Sequence, residues 1–164
     1  MEFLSIPGPQ WEVAADGVAI LADSDGHFAP YPGGGGCYDY DAVFLLTANQ
    51  LSITKHSELL RKTSLTLLME QNPDGGFCES LCIRPRTILN FLRSCQHVIN
   101  SEGIARLERL RHTLTLLRPK YDRINTHWSI YSREWGESDL WDSWFRMLAI
   151  ARIEVALNPE KNIS

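Results

Sequence analysis

No stretch of this chain reaches eighteen uninterrupted apolar residues, so the sequence holds no candidate membrane-spanning helix. Clusters of Lys or Arg are missing as well. With a net charge of −4 and no basic stripe to neutralise phosphates, nucleic acid is not an expected partner. The opening MEFLSIPGPQWEVAADG has neither a basic start nor a long apolar core, which excludes a signal peptide and makes the cytoplasm the expected location. Cysteine is sparse: Cys37, Cys78, Cys82 and Cys95, read without a secretory signal as reduced thiols and not as a disulfide frame. Compact catalytic signatures are lacking too. There is no G-x-S-x-G or H-E-x-x-H, and Gly33 to Gly36 are not followed by the Lys-Ser/Thr of a nucleotide loop.

What remains is a composition that is 44% hydrophobic and 22% charged over 164 residues, enough for one folded domain with a core. Four of the five Trp fall in the last third. The chain also resembles itself. Asp25-Gly26-His27-Phe28 returns as Asp74-Gly75-Gly76-Phe77, and a degenerate Asn125-Thr126-His127-Trp128 follows. The aromatic residues at 28, 77 and 128 are spaced by 49 and 51 residues, the mark of a tandem helical repeat.

Between these turns the periodicity predicts helices. Residues 39–51 are apolar on most faces after Asp39 and Asp41, which suit the positive end of a helix. Residues 55–71 carry Leu59, Leu60, Thr63, Leu67 and Leu68 on one side, an amphipathic helix stopped by Asn72-Pro73-Asp74-Gly75-Gly76. Further helices are expected over 85–98 and over 103–117, the latter with Leu107, Leu110, Leu114 and Leu117 in register. A last one runs over 138–157, with Leu140, Trp141, Trp144, Phe145 and Leu148 facing a core. Residues 12–21 suggest a hairpin turning at Asp16-Gly17, and Pro30 to Gly36 a flexible loop. The expected organisation is an irregular segment over 1–36, a helical-repeat domain over 37–157 and a tail over 158–164. The fold class is all-α. Buried and amphipathic helices taking turns are satisfied by an inner and an outer layer of one curved wall.

Leu67-x-x-x-Gln71-x-x-x-Gly75-x-Phe77 resembles the repeat motif of the terpene cyclases and protein prenyltransferases, L-x-x-x-Q-x-x-x-G-x-W, with Phe in place of Trp. The resemblance implies a partial α/α-toroid, with the Gln and the aromatic acting as a clip between repeats. Toroids of that family carry more helix pairs than this chain supplies. It is therefore expected to be the carboxy-terminal part of a longer toroid, or to self-associate, or to take a partner that completes the ring.

In such toroids the loops before the inner helices open on a cavity, which singles out three groups of residues. Asp39 and Asp41 resemble the first two acids of the D-x-D-D protonation motif of the cyclases, without its last member; the plain alternative is that both cap a helix. Cys37, Asp39 and His127 offer the donor types of a prenyltransferase zinc centre, in altered order, making zinc or magnesium the candidate cofactors. Tyr38, Arg133, Glu134, Trp135, Glu137 and Asp139 would line a wall of aromatic and charged groups suited to sugars or cationic intermediates, while the resemblance itself implies an apolar small-molecule ligand. Two functions stand open: a cyclase- or prenyltransferase-like toroid binding an apolar or isoprenoid-type ligand, and a non-catalytic helical repeat that binds another protein.

Overall fold

The computed structural model describes residues 10–79, 88–114, 121–125, 130–134 and 137–162. These residues form seven helices: α1 (Gln10–Ala19), α2 (Gly36–Leu46), α3 (Gln50–Lys55), α4 (Ser57–Met69), α5 (Ile88–Ile99), α6 (Gly103–Thr113) and α7 (Leu140–Leu157). One antiparallel hairpin joins β1 (Tyr121–Asn125) to β2 (Ile130–Glu134), pairing Tyr121 with Glu134 and Asn125 with Ile130. The helical class expected from the sequence is observed, with this small hairpin added. Among the described residues, no helix is long and apolar enough to cross a membrane.

Two helix–turn–helix units build the core. The first is α1, a turn over Asp23–Phe28, and α2. The second is α4, a turn over Asn72–Phe77, and α7. The turns are nearly superimposable in their bonding. Asp23 N–H donates to the His27 carbonyl at 2.8 Å and Gly26 N–H to the Asp23 carbonyl at 3.2 Å; Asn72 N–H donates to Gly76 and Gly75 N–H to Asn72, both at 2.9 Å. Gly26 and Gly75 sit at φ 88° and 86°, a left-handed conformation that explains why both turns carry Asp-Gly.

Each turn is then fastened to a helix through the N–H of its Phe. Phe28 N–H donates to Asp39 of α2 at 2.9 Å, and Phe77 N–H donates to Ser143 of α7 at 2.8 Å. Asp39 and Ser143 occupy the same position, fourth in their helices. The partner of the second turn is thus α7, not the helix that follows it in sequence. Residues 80–136, carrying α5, α6 and the hairpin, interrupt the second unit, and the chain returns where Asp139 N–H meets the Phe77 carbonyl at 3.0 Å.

The helices α2 and α7 lie side by side and run the same way. Asp142 near the start of α7 accepts the N–H of Gly36 at the start of α2, while Arg152 further along α7 donates to Thr47 at the end of α2 at 2.6 Å. Val43, Leu46, Ala149 and Ile153 fill the seam, with Leu60 and Leu67 of α4 and Ala15 of α1 closing the core.

Several expectations are corrected. The hairpin expected over 12–21 is not found: residues 12–19 belong to α1, whose Ala15 is buried in the core, and Ile20 and Leu21 turn out of it. The stretch 55–71 is split at His56, with Asn49 capping α3 through Ser52 N–H at 2.9 Å. Gly33 to Gly36 are buried, not a loose loop. On α7 the buried ridge is Asp142, Arg146, Ala149 and Ile153, while Leu140, Trp141 and Trp144 turn to solvent. Polar pairing overrides hydropathy there, because Asp142 and Arg146 are held by partners that the interior supplies, the Gly36 N–H and the Glu70 carboxylate. In the third expected turn, His127 and Trp128 lie outside the described residues, and the chain on either side is strand where the first two turns have helix.

Candidate functional site

The densest polar arrangement is a buried chain of alternating charge that runs through both units. Asp39 on α2 accepts from His27 Nδ1 at 3.0 Å; His27 Nε2 reaches Glu70 at 3.1 Å; Arg146 on α7 donates to the other Glu70 oxygen at 2.6 Å. His27, Asp39 and Arg146 are all but inaccessible to water. Taken as ionised, the four side chains sum to zero; His27 and Glu70 each stand between two opposite charges, and Asp39 and Arg146 at the ends each touch one. That is the condition under which burying them is tolerable.

Burial opposes a charge on His27, but the hydrogen bonds and charges of Asp39 and Glu70 outweigh it and push its pKa up to about 10. Glu70 responds in the opposite sense. Burial alone would raise its pKa, but His27 and Arg146 hold it below the ordinary carboxylate value. Arg146 also donates to the carbonyls of Gly33 at 3.0 Å and Glu79 at 2.6 Å, with its guanidinium 6.0 Å from the centre of the Phe77 ring.

The glycine run is what lets the backbone lie on this network. A Cβ on Gly34 would land on Asp39 Oδ2 and His27 Nδ1, and one on Gly36 would press on Asp142. A second polar group adjoins the first. Tyr31 donates to Glu79 at 2.8 Å, and Asp142 accepts the Gly36 N–H at 2.9 Å. Burial raises the Asp142 pKa to about 7, against the lowering effect of that N–H.

The residues singled out from sequence are dispersed. Asp39 is part of the network, but neither as a helix cap nor as an acid open to a cavity: one oxygen takes His27 and the other takes Phe28 N–H. Asp41 is exposed. Tyr38 is half-exposed and meets Tyr31 edge-on. Glu137 is exposed, and Asp139 caps α7 by accepting Asp142 N–H at 2.9 Å. Arg133 and Glu134 lie on β2, with nothing described of their side chains; Trp135 and His127 lie outside the described residues. Cys37 is half-buried, and burial lifts its thiol pKa above the ordinary value. Among the described residues no three His, Cys, Asp or Glu side chains gather to hold a metal ion. Asp39 engages His27 with one oxygen and Phe28 N–H with the other, and the zinc or magnesium centre expected from Cys37, Asp39 and His127 falls partly outside the described residues.

Two apolar surfaces stay open instead. Along α2 and α7 runs an aromatic row in which Trp141 contacts Phe145 (4.8 Å between ring centres), Phe145 contacts Tyr40 (5.5 Å) and Tyr40 contacts Phe44 (6.5 Å). Trp141 and Trp144 are 63% and 62% exposed. The other surface is on α5 and α6, where Ile88, Leu92, Ile99, Leu107, Leu110 and Leu114 all face water. Between the Asp23–Phe28 turn and the α5–α6 pair lies a cleft of about 440 Å³ that includes Asp23, Asp25, Arg93, His97 and Arg109. Arg109 ties that pair to the core by donating to the Leu21 carbonyl at 2.8 Å.

Sequence reasoning missed His27, Glu70 and Arg146. One signal was present: an arginine inside the apolar run LWDSWFRMLAI needs a buried partner or an exposed face. No known family model, curated protein or solved structure matches this chain.

Proposed function

We propose that this chain is a non-catalytic helical-repeat module that works by docking apolar helix faces onto another protein surface. The supporting observation is the pair of exposed stripes on α5 and α6. Single exposed leucines are ordinary, but contiguous apolar stripes on neighbouring helices are characteristic of interaction surfaces. The ionised network points the same way. Its members bind one another and locking backbone groups, so its role is to hold α2, α4 and α7 together, and no acid step is assigned to Asp39. The side-by-side α2 and α7, each joined through a like turn to α1 or α4, are compatible with an arc of a terpene-cyclase or prenyltransferase-like α/α wall. The Gln71 side chain, donating to the Gly75 carbonyl at 2.7 Å, acts within its own turn as a clip.

The test is a photo-crosslinking amino acid placed at Leu107, with Lys62 on the exposed side of α4 as control. Protein adducts at 107 and none at 62 are expected in cells making the full chain. Absence of any adduct at 107 would end the docking reading.

A second reading, binding of an apolar or isoprenoid-type ligand, is favoured by the aromatic row on α2 and α7. Farnesol titrated into the protein should then quench and blue-shift the tryptophan emission with saturation, and Trp144→Ala should weaken that binding. A linear, unsaturable response would count against it.

A further inference from the structure

We propose that the partner of the α5–α6 pair is the same pair in a second copy of this chain, the two closing into a four-helix bundle. The proposal rests on the docking reading and names its occupant.

The two helices form an antiparallel pair joined by Asn100–Glu102, each 11 or 12 residues long. Their inward sides carry Ser94, Arg109 and Thr113, all buried. The sides left in water carry Ile88, Leu92 and Ile99 on α5, and Leu107 and Leu110 on α6 with Leu114 just past its end. These positions repeat at helical spacing, so each helix presents a stripe and not scattered residues. With Leu89, Phe91 and Ile104, they leave on the order of 800 Å² of apolar surface in water, the share that each partner contributes to a standard stable interface. A two-stripe face of this kind is its own best complement. A two-fold axis sets stripe against stripe and needs no second surface on the molecule, and paired helices packing on paired helices is the arrangement of four-helix bundles.

Charge does not oppose it. The charges around the stripes are mixed, with Arg93, Arg106 and Arg111 beside Glu102 and Glu108, so a two-fold-related copy does not meet charges of one sign alone. The dimer leaves α7 uninvolved, since its aromatic row belongs to α2 and α7.

Light scattering on the full chain over about 1–100 µM tests the proposal, a range in which interfaces of this size associate. The expected mass is twice that of the chain at the upper end. Leu92→Glu with Leu107→Glu should give a monomer throughout, with unchanged helical circular dichroism, and Trp144→Ser should remain a dimer. A wild-type monomer at about 100 µM overturns the proposal. So does a dimer that survives the glutamates but is lost in Trp144→Ser, because association then runs through α7. A monomer that still crosslinks through position 107 to a protein of another mass overturns the second copy while leaving the docking reading intact.

Discussion

Arg146 and Glu70, 76 residues apart in the chain, meet at 2.6 Å with the arginine almost fully buried. Around this contact the two helix–turn–helix units are joined, since Glu70 closes α4 and also holds His27, which in turn holds Asp39 on α2. Removing Arg146 leaves Glu70 with His27 alone and the network one positive charge short. Arg146→Met is therefore expected to lower stability by about 3–5 kcal/mol, measured by urea unfolding. The double variant Arg146→Met, Glu70→Gln should lose less than the two single losses added together. Simple additivity would show that the pair is not coupled.

His27 gives the fold a signature at high pH. Its pKa rises from 6.5 in the unfolded chain to about 10, so the stabilisation is fully present below 6.5 and fades as pH climbs through 10. The size is on the order of a few kcal/mol. His27→Gln should remove the pH-dependent part of stability between those values, followed by urea midpoints in a pH series. A wild-type chain equally stable from pH 6 to 10 would contradict the charged state of His27.

Asp142 acts in the same sense over a lower pH range. An acid whose pKa rises from 3.8 to about 7 favours the folded state while protonated, and that contribution is lost as pH increases from 3.8 through 7. Asp142→Asn keeps an oxygen for Gly36 N–H and has no charge to bury. It is expected to flatten this loss, leaving the variant relatively more stable at pH 8 than at pH 4 when each is compared with wild type.

Glycine substitutions separate two roles. At Gly75 a Cβ meets nothing within 4 Å, so Gly75→Ala carries only the strain of φ 86°, on the order of 1 kcal/mol. At Gly34, with φ 69°, the same methyl collides with the His27–Asp39 pair as well. Gly34→Ala should be the far more damaging change, read as the difference in thermal midpoints. Equal effects would mean that Gly34 serves only as a turn.

The legible part of this molecule was its local pattern. The Asp-Gly-x-Phe turns, the amphipathic face of α4 and the approximate helix limits all follow from spacing and from the conformational needs of Gly26 and Gly75. Partner choice was not legible. Nothing near Phe77 announces that its helix is α7, across an interruption of some fifty residues, because that choice is made by the Ser143 hydroxyl and the Asp139 bridge. The α7 pattern misled for a related reason. Periodicity ranks Trp141 and Trp144 above Asp142 and Arg146 for burial, whereas the interior holds the Gly36 N–H for Asp142 and the Glu70 carboxylate for Arg146. The site suffered likewise: Asp39 reads as a cap or an acid until His27 and Phe28 are brought against it.

The parallel pairing of α2 with α7 is tested most directly by distances between spin labels at exposed positions. Labels at Asp41 and Met147 should be close, and moving the second label to Val155, about 12 Å further along α7, should lengthen the distance by about 5 Å once the sideways separation of the helices is included. The reverse order, or equal long distances for both pairs, would contradict the interrupted second unit and the joining of the two units with it.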